Sequence, residues 1–248
     1  MLRNAYNYTA ANIVTDSEKY GAIRDSIDRH GFRYDSQEDF AKNVVGEIGN
    51  VKSERVSLEN YESTTMKLED FRIVYDEYEN FLRRCGKIDF DDMLVFTYEL
   101  LSERPDILKM WQNKFRYILI DEFQDINMIQ YDIVKLLAGE RQNVFSVGDD
   151  DQSVYGFRGA APAIMKKFPE DFHGTVIEYL NVNYRCSYDI VECSKRIIQN
   201  NRDRYEKQLR SAFAAGQSDR VHIVKTDSMT ASVMNPSPPI CISTIITI

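Results

Sequence analysis

Two adjacent carboxylates, Asp121 and Glu122, directly follow a short apolar run at residues 117–120. The run predicts a buried strand, and open α/β sheets present their chemistry at the carboxyl ends of the strands. An Asp in that place can hold Mg²⁺, directly or through water, because Mg²⁺ prefers oxygen ligands and keeps several waters. The neighbouring Glu could then orient or deprotonate an attacking water. The alternative is a buried strand that ends in a solvated acidic turn.

Two further stretches also place polar residues after a short apolar run. Residues 144–160 read VFSVGDDDQSVYGFRGA, and residues 176–187 read VIEYLNVNYRCS. With the DEFQD of residues 121–125, they resemble the UvrD/Rep family of superfamily 1 DNA helicases, whose patterns are roughly DEYQD, VGDxDQSIYxWRGA and LxxNYRS. The three patterns stand in the family's order, and the resemblance covers residues 65–210 well and the first 60 residues loosely.

The resemblance implies an ATP site that uses Mg²⁺. In such a site Asp121 carries Mg²⁺ through a water, and Glu122 activates the hydrolytic water beside the metal. Gln152 matches the family glutamine that senses the γ-phosphate, and an amide suits this role because it can both donate and accept hydrogen bonds. A lone glutamine could instead be an exposed turn residue, a reading that the surrounding GDDDQS disfavours.

Two residues of the third stretch are implied to complete the ATP site. Tyr184 is expected to stack on the adenine. Arg185 is expected to reach the γ-phosphate as an arginine finger, because a planar, always-charged guanidinium suits a phosphate that gains charge in the transition state. Closure of two motor domains would bring Arg185 to the nucleotide. Gln124 and Asp125 also match motif positions, although Asp125 could simply cap a helix that starts at Ile126.

The loop after residue 152 supplies the candidate DNA contacts Tyr155, Phe157 and Arg158. Aromatic faces stack on any base, so they bind a single strand without reading its sequence. Arg158 can bind phosphate or lie flat on a base. Phe157 stands where the family usually has tryptophan, and the smaller ring is expected to stack more weakly. The alternative for Tyr155 is an aromatic that anchors the loop to its own core.

The elements around these residues alternate between strand and helix. Strands are predicted near 116–121, 143–148 and 175–180, and helices near 126–138, 160–168 and 187–200. Such alternation indicates βαβ units and a parallel sheet. The predicted fold class is therefore α/β: an incomplete RecA-like motor domain of the P-loop NTPase type, preceded by an all-helical insertion subdomain.

The first part of the chain is predicted to be helical at residues 13–30, 36–49 and 66–84, with a connection over 50–65. The third helix carries apolar residues at helical spacing, which indicates a core-facing stripe. Asp89 is predicted to cap the next helix, with two more aspartates in its first turn, and this structural role is preferred to metal binding. The predicted domains are a helical subdomain over 1–88, part of the first motor domain over 89–178 and the start of a second over 179–248.

Composition limits the remaining possibilities. The net charge of −8 counts against a protein that coats nucleic acid non-specifically, although a local basic or aromatic groove is compatible with it. The four cysteines form no CxxC pair, which argues against a zinc site or a disulfide framework. We find no signal peptide and no apolar run of the ~20 residues that a membrane span needs, and a cytoplasmic protein is expected.

No GxxxxGK[ST] phosphate loop occurs in the 248 residues, and the later helicase motifs are absent too. An internal piece of a helicase is therefore expected, inactive as an ATPase on its own because it lacks the lysine and backbone N–H groups that hold the β- and γ-phosphates. Two alternatives remain. The chain could be a non-enzymatic module that binds single-stranded DNA or a protein, or an ATPase subunit that another chain completes.

Overall fold

The computed structural model describes residues 1–32, 37–59, 61–153, 163–201 and 204–215, with the side chains of 37–39 excepted. Its helices are α1 (Leu2–Tyr6), α2 (Asp16–His30), α3 (Gln37–Glu54), α4 (Leu68–Cys85), α5 (Phe90–Glu103), α6 (Pro105–Lys114), α7 (Met128–Ala138), α8 (Ala163–Asp171) and α9 (Tyr188–Ile198). Its strands are β1 (Ile118–Ile120), β2 (Val144–Ser146), β3 (Val182–Asn183) and β4 (Arg210–Ser211). None of the described helices is both long enough and apolar enough to cross a bilayer.

The chain divides into two compact units. Of the described residues, the first unit takes Met1–Ile118 and Asp125–Val144 with residues 163–164, and the second takes Leu119–Gln124, Phe145–Ser153 and everything from 165 onward. The domain limits predicted at residues 88 and 178 stay predictions.

Helices α2, α3 and α4 share the main apolar core of the first unit. Helix α2 begins with a capping box between Thr15 and Glu18, and it ends at Gly31, whose φ of +67° is in the left-handed region that favours glycine. The stripe predicted on α4 is confirmed, because Phe71 and Val74 are fully buried. Local capping and helical periodicity therefore account for how this core is assembled.

Helix α3 runs to Glu54, so the connection predicted to start at residue 50 is wrong over its first turn. The cause is a tertiary ion network. The Lys52 ammonium lies 2.8 Å from Asp89 and 2.6 Å from Asp92, and the side chains of all three residues are at most 7% exposed. Glu79 adds a third carboxylate at 2.6 Å. A polar stretch that reads as a loop is helical here because its lysine pairs with buried carboxylates from other elements.

The predicted cap at the start of α5 is confirmed. The Asp89 carboxylate accepts a hydrogen bond from the backbone N–H of Asp92 at 2.7 Å, and the Asp92 carboxylate accepts one from the N–H of Asp89 at 3.0 Å. The same two side chains hold Lys52, so the cap is also an ion site. Asp89 and Asp92 therefore have the structural role predicted for them, and they pair with Lys52 as well.

Strands β1 and β2 pair in a two-stranded sheet near their predicted positions. Ladder bonds run from the N–H of Ile118 to the carbonyl of Asn143 and from the N–H of Val147 to the carbonyl of Ile120. Donors and acceptors thus advance together along both strands, which is the parallel arrangement. Together these strands show a small parallel sheet within the predicted α/β class.

The strand predicted over 175–180 is wrong. Instead, β3 begins at Val182 and pairs in parallel with β4, with Val182 opposite Arg210 and Asn183 opposite Ser211. Val176 is 70% exposed, so the apolar run that suggested a buried strand is not covered in the described part of the chain. A strand needs a neighbour to satisfy its backbone groups, and composition alone does not supply one.

Candidate functional site

Asp121 and Glu122 follow β1 directly, and both are exposed. The Asp121 Oδ1 atom accepts a hydrogen bond from the backbone N–H of Glu122 at 3.0 Å. Glu122 has a φ of +49°, which is costly for a residue with a side chain. Backbone strain of this kind is often found at functional sites, where the surrounding structure maintains it.

Gln124 connects this acidic turn to the loop that follows β2. Its side chain is buried, and the residue is 2% exposed. The Nε2 group donates to Glu122 Oε2 at 2.8 Å, while Oε1 accepts from the backbone N–H of Asp149 at 2.9 Å. Gln152 extends the connection, because its Nε2 group donates to Asp149 Oδ2 at 2.7 Å. A continuous hydrogen-bonded chain therefore joins Glu122 to Gln152.

Gly148 makes the close approach of the two loops possible. A Cβ atom at this position would lie 2.8 Å from Gln124 Oε1 and 3.1 Å from both the Cβ and the backbone nitrogen of Phe123. These are closer than real Cβ atoms normally approach, and one of the neighbours is backbone that cannot rotate away. Only glycine fits at residue 148 without displacing the Gln124 amide.

Lys207 occupies the centre of the three consecutive aspartates 149–151. Its Nζ atom lies 2.5 Å from Asp149 Oδ1 and 3.2 Å from Asp151 Oδ2, and it also contacts Asp150. Arg204 adds two hydrogen bonds to the Asp151 carboxylate, at 2.7 and 2.6 Å. The carboxylate oxygens of the three aspartates lie within 4.8 Å of one another, as in a metal site, but an ammonium holds the position a metal would take.

The charges of this cluster stabilise one another. Burial works to raise the pKa of Asp151, but the hydrogen bonds from Arg204 and the nearby ammonium outweigh burial and lower it. Burial likewise works to lower the pKa of Lys207, and the hydrogen bonds and charges of Asp149 and Asp150 outweigh it and raise it. The pKa of Arg204 is raised by its hydrogen bonds to Asp151. The ionised forms of Asp151, Lys207 and Arg204 are thus favoured by their contacts within the cluster.

The turn that carries Tyr184 and Arg185 is organised by Asn183. The Asn183 Oδ1 atom accepts hydrogen bonds from the backbone N–H groups of Arg185 at 2.9 Å and Cys186 at 2.7 Å. Both Tyr184 and Arg185 are exposed, beside an open concavity of about 660 Å³ formed by residues 179–185. Among the described residues, no hydrogen bond or ion pair joins these two side chains to Asp121, Glu122 or Gln152.

Other predicted site residues fare differently. Tyr155, Phe157 and Arg158 lie outside the described residues. The suggestion that Asp125 caps the following helix is wrong, because α7 begins at Met128 and its cap is Asn127, whose side chain accepts from the N–H of Gln130 at 3.0 Å. An asparagine one residue before an apolar helical run was the available signal.

Sequence reasoning missed the residues that build this site. Gln124 was left without a definite role, and Asn183, Arg204 and Lys207 were not singled out. Asn183 had a local signal, since asparagine often accepts hydrogen bonds from backbone N–H groups just after it. Lys207 had none, because its partners lie 56 or more residues earlier in the chain.

Asp121 fits the role of a ligand to hydrated Mg²⁺. Its carboxylate is exposed, and only Oδ1 has a protein partner in the described part of the chain. An Mg²⁺ ion that keeps most of its waters needs only one or two carboxylates from the protein. The aspartates at 149–151 do not fit this role, because Lys207 compensates their charge.

Comparison with known proteins identifies the family. Residues 4–173 match the UvrD/REP helicase N-terminal domain. The chain is 41% identical over 150 residues to a DNA helicase II of Rickettsia typhi, 33% identical over 220 residues to the ATP-dependent DNA helicase PcrA of Staphylococcus epidermidis, and 40% identical over 151 residues to the ATP-dependent DNA helicase Rep of Escherichia coli.

These matches cover 60%, 87% and 61% of this chain, but only 23%, 30% and 22% of the respective relatives. The relatives are all named as DNA helicases. Because the helicase domain matches more than half of the chain, the chain belongs to the UvrD/REP helicase family.

Proposed function

We propose that this chain is part of an ATP-dependent DNA helicase that couples ATP hydrolysis to movement along single-stranded DNA and to duplex unwinding. The observation that carries the proposal is the hydrogen-bonded chain from Glu122 through Gln124 and Asp149 to Gln152. It joins the two motif stretches that the ATP site needs, at the carboxyl ends of neighbouring parallel strands. Ligands of α/β sheets bind at such strand ends.

Each residue of the proposed ATP site has a distinct role. Asp121 would hold a hydrated Mg²⁺, and the bound ion would supply positive charge to the phosphate oxygens. Glu122 takes a proton from the attacking water, and Gln152 offers its amide to the γ-phosphate. Tyr184 stacks on the adenine, and Arg185 stabilises the charge that develops during phosphoryl transfer.

The aromatic loop supplies the DNA contacts in this proposal. Tyr155 and Phe157 stack on bases, and Arg158 binds phosphate or a base face. Because the net charge is −8, the overall electrostatic field does not attract DNA. The attraction in this proposal comes from a local arrangement of these side chains.

The chain alone is expected to turn over little or no ATP, because its 248 residues contain no GxxxxGK[ST] loop. A phosphate loop from another polypeptide segment would complete the site. A chimera tests this directly: the 220 residues of the S. epidermidis PcrA that align with this chain are replaced by this chain's own residues. We expect ATP hydrolysis that single-stranded DNA stimulates and that Glu122→Gln abolishes.

The two competing readings give different results. A folded chimera that binds ATP and hydrolyses it equally well with Glu122→Gln would refute the assigned role of Glu122. Salt-dependent binding of single-stranded DNA by the chain, with no hydrolysis in any chimera, would favour a non-enzymatic binding module. Hydrolysis restored by a separately added polypeptide that carries a phosphate loop would favour a subunit completed by another chain.

A further inference from the structure

We propose that Gln124 is a positioning residue that sets the orientation of the Glu122 carboxylate and couples it to the loop of residues 148–153. The inference deepens the proposed function and rests on it. Its physical basis is a single buried amide whose two ends are committed to different loops, one to a carboxylate after β1 and the other to a backbone N–H after β2.

The partners determine which way the Gln124 amide points. A carboxylate can only accept, so Glu122 Oε2 must face the NH₂ group, and a backbone N–H can only donate, so Asp149 must face Oε1. A flipped amide would set oxygen against oxygen and donor against donor. Because the residue is 2% exposed, water cannot readily replace either bond, and a lost partner would be costly.

The Gln124 amide also couples the position of the 148–153 loop to that of Glu122. The Asp149 N–H belongs to the same residue whose carboxylate accepts from Gln152 and binds Lys207. The backbone carbonyl of Gln124 in turn accepts from the Ser153 hydroxyl at 3.4 Å. A displacement of the 148–153 loop therefore pulls on Oε1 of the amide and rotates its Nε2 group away from Glu122. In this way a change in the position of Gln152, the proposed γ-phosphate sensor, changes the orientation of Glu122, the proposed water-activating residue.

The main test uses the purified chain and does not require ATP. The chain is labelled with ¹³C at its glutamate carboxyl groups, and the Glu122 resonance is assigned by its loss in Glu122→Gln. We expect Gln124→Leu, which has a similar size but no amide, to move this resonance, because the hydrogen bond to Oε2 is lost. We expect Gly148→Ala to move it as well, because the added Cβ displaces Gln124 Oε1.

Coupling through Gln124 is tested by combining the two substitutions in one variant. In the double variant Gln124→Leu/Gly148→Ala, Gly148→Ala is expected to add a smaller shift than it causes in the wild type, because the amide is gone and only the contact of the new Cβ with Phe123 remains. Gly46→Ala is the matched control: its Cβ would meet nothing within 4 Å, so the Glu122 resonance is expected to stay in place. An unchanged resonance in folded Gln124→Leu would overturn the proposal, and this holds even if Gly148→Ala does not fold. Equal shifts from Gly148→Ala with and without the amide would do the same.

Kinetics in the chimera separate this inference from the proposed function. We expect Gln124→Leu to lower kcat by ~10–100-fold, as for other residues that orient a reacting group, with little change in KM for ATP. If Glu122→Gln has no effect, the proposed function itself fails. If Glu122→Gln abolishes turnover while Gln124→Leu leaves kcat unchanged, only the positioning role fails.

Discussion

The ammonium of Lys207 lies 2.5 Å from the carboxylate of Asp149, a residue 58 positions earlier in the chain. Both side chains are 1% exposed, so water contributes almost nothing to their solvation. Such a buried pair depends on the presence of both partners, because a single buried charge without its counter-ion is strongly unfavourable.

Replacing Lys207 with methionine should therefore destabilise the protein strongly. The change keeps the length of the side chain but leaves the aspartates at 149–151 with Arg204 as their main compensating charge. We expect the free energy of unfolding to fall by ~3–5 kcal/mol, measured by urea denaturation at pH 7. Lys195→Met is the control, since its pair with Glu192 is about one-third exposed, and it should change stability by less than ~1 kcal/mol. Equal effects of the two substitutions would contradict the buried-pair account.

Gly148→Ala should also destabilise, for a steric reason. The new Cβ would stand 2.8 Å from Gln124 Oε1 and 3.1 Å from the backbone of Phe123. Overpacking of this kind costs ~1–3 kcal/mol. Gly46→Ala, in the interior of α3 with open space around it, is expected instead to stabilise by ~0.5–1 kcal/mol. Thermal or urea unfolding of the two variants gives the comparison, and a neutral Gly148→Ala would show that the loops are less tightly packed than the distances indicate.

The left-handed backbone of Glu122 predicts an unusual response to glycine. Glu122→Gly removes a conformational penalty of ~1–2 kcal/mol, which offsets the entropy that glycine gains in the unfolded chain. Glu122→Gly and Glu122→Ala both lose the hydrogen bond from the Gln124 amide, so their difference isolates the backbone. We expect the glycine variant to be the more stable of the two by up to ~1 kcal/mol in urea unfolding. At Glu99, on an exposed face inside α5, glycine should instead be less stable than alanine by ~1 kcal/mol. A glycine variant that is the less stable one at both positions would argue against the strained backbone.

The ion network around Lys52 predicts a pH dependence of stability. Burial raises the pKa of Asp92 to about 6, helped by the charge of Asp89 and opposed by the Lys52 ammonium. Burial also works to raise the pKa of Asp89, but the charge and hydrogen bond of Lys52 outweigh it and lower that pKa. The Tyr78 hydroxyl, at 3.1 Å, favours the ionised Asp89, while Glu79 adds a third carboxylate beside Lys52.

For Asp92, a raised pKa in the folded state means that the folded protein binds the proton more tightly than the unfolded chain does. Its contribution to stability is therefore largest below about pH 4, is lost as the pH rises through about 6, and is level above that. Asp92→Asn mimics the protonated form at every pH. We expect the stability of the wild type relative to this variant to fall between pH 4 and 6 in urea titrations. A difference that grows with pH would reverse the assignment.

Phe157 offers a test of DNA binding. If it stacks on a base, Phe157→Ala should weaken binding of single-stranded DNA by ~1–3 kcal/mol, and Phe157→Trp should strengthen it because a larger ring stacks better. Fluorescence anisotropy with a labelled oligonucleotide at two salt concentrations measures both. Phe213→Ala, at a phenylalanine that is about half exposed, is the control for surface aromatics in general. Tighter binding after Phe157→Ala would exclude the stacking role.

Local features of the fold were predictable from the sequence. Asp89 caps α5 because its neighbours along the chain supply both the acceptor and the donor, and the stripe on α4 follows from helical periodicity. The strands before Asp121 and Asp149 were likewise indicated by short apolar runs that end in polar loops. In each case the determining interactions lie within a few residues of the pattern.

Features that depend on distant partners were not predictable in this way. Lys52 extends α3 because carboxylates 37 and 40 residues later surround its ammonium. The run at 175–180 resembles a strand, yet the observed strand begins only at Val182, where β4 provides the neighbour. The two hydrogen-bond partners of the Gln124 amide were not predictable either, because they lie on opposite sides of it in the chain, 2 residues before and 25 after.

During synthesis, Asp149 leaves the ribosome well before Lys207, because 58 residues separate them. At about 5–20 residues per second, this interval is roughly 3–12 s. Throughout it, three neighbouring aspartates repel one another without the cation that later holds them together, and the peptide of Asp149 has no settled position to offer Gln124. A nascent chain thus carries the two loops that follow β1 and β2 for several seconds before the ion pairs of Lys207 can fix the second of them.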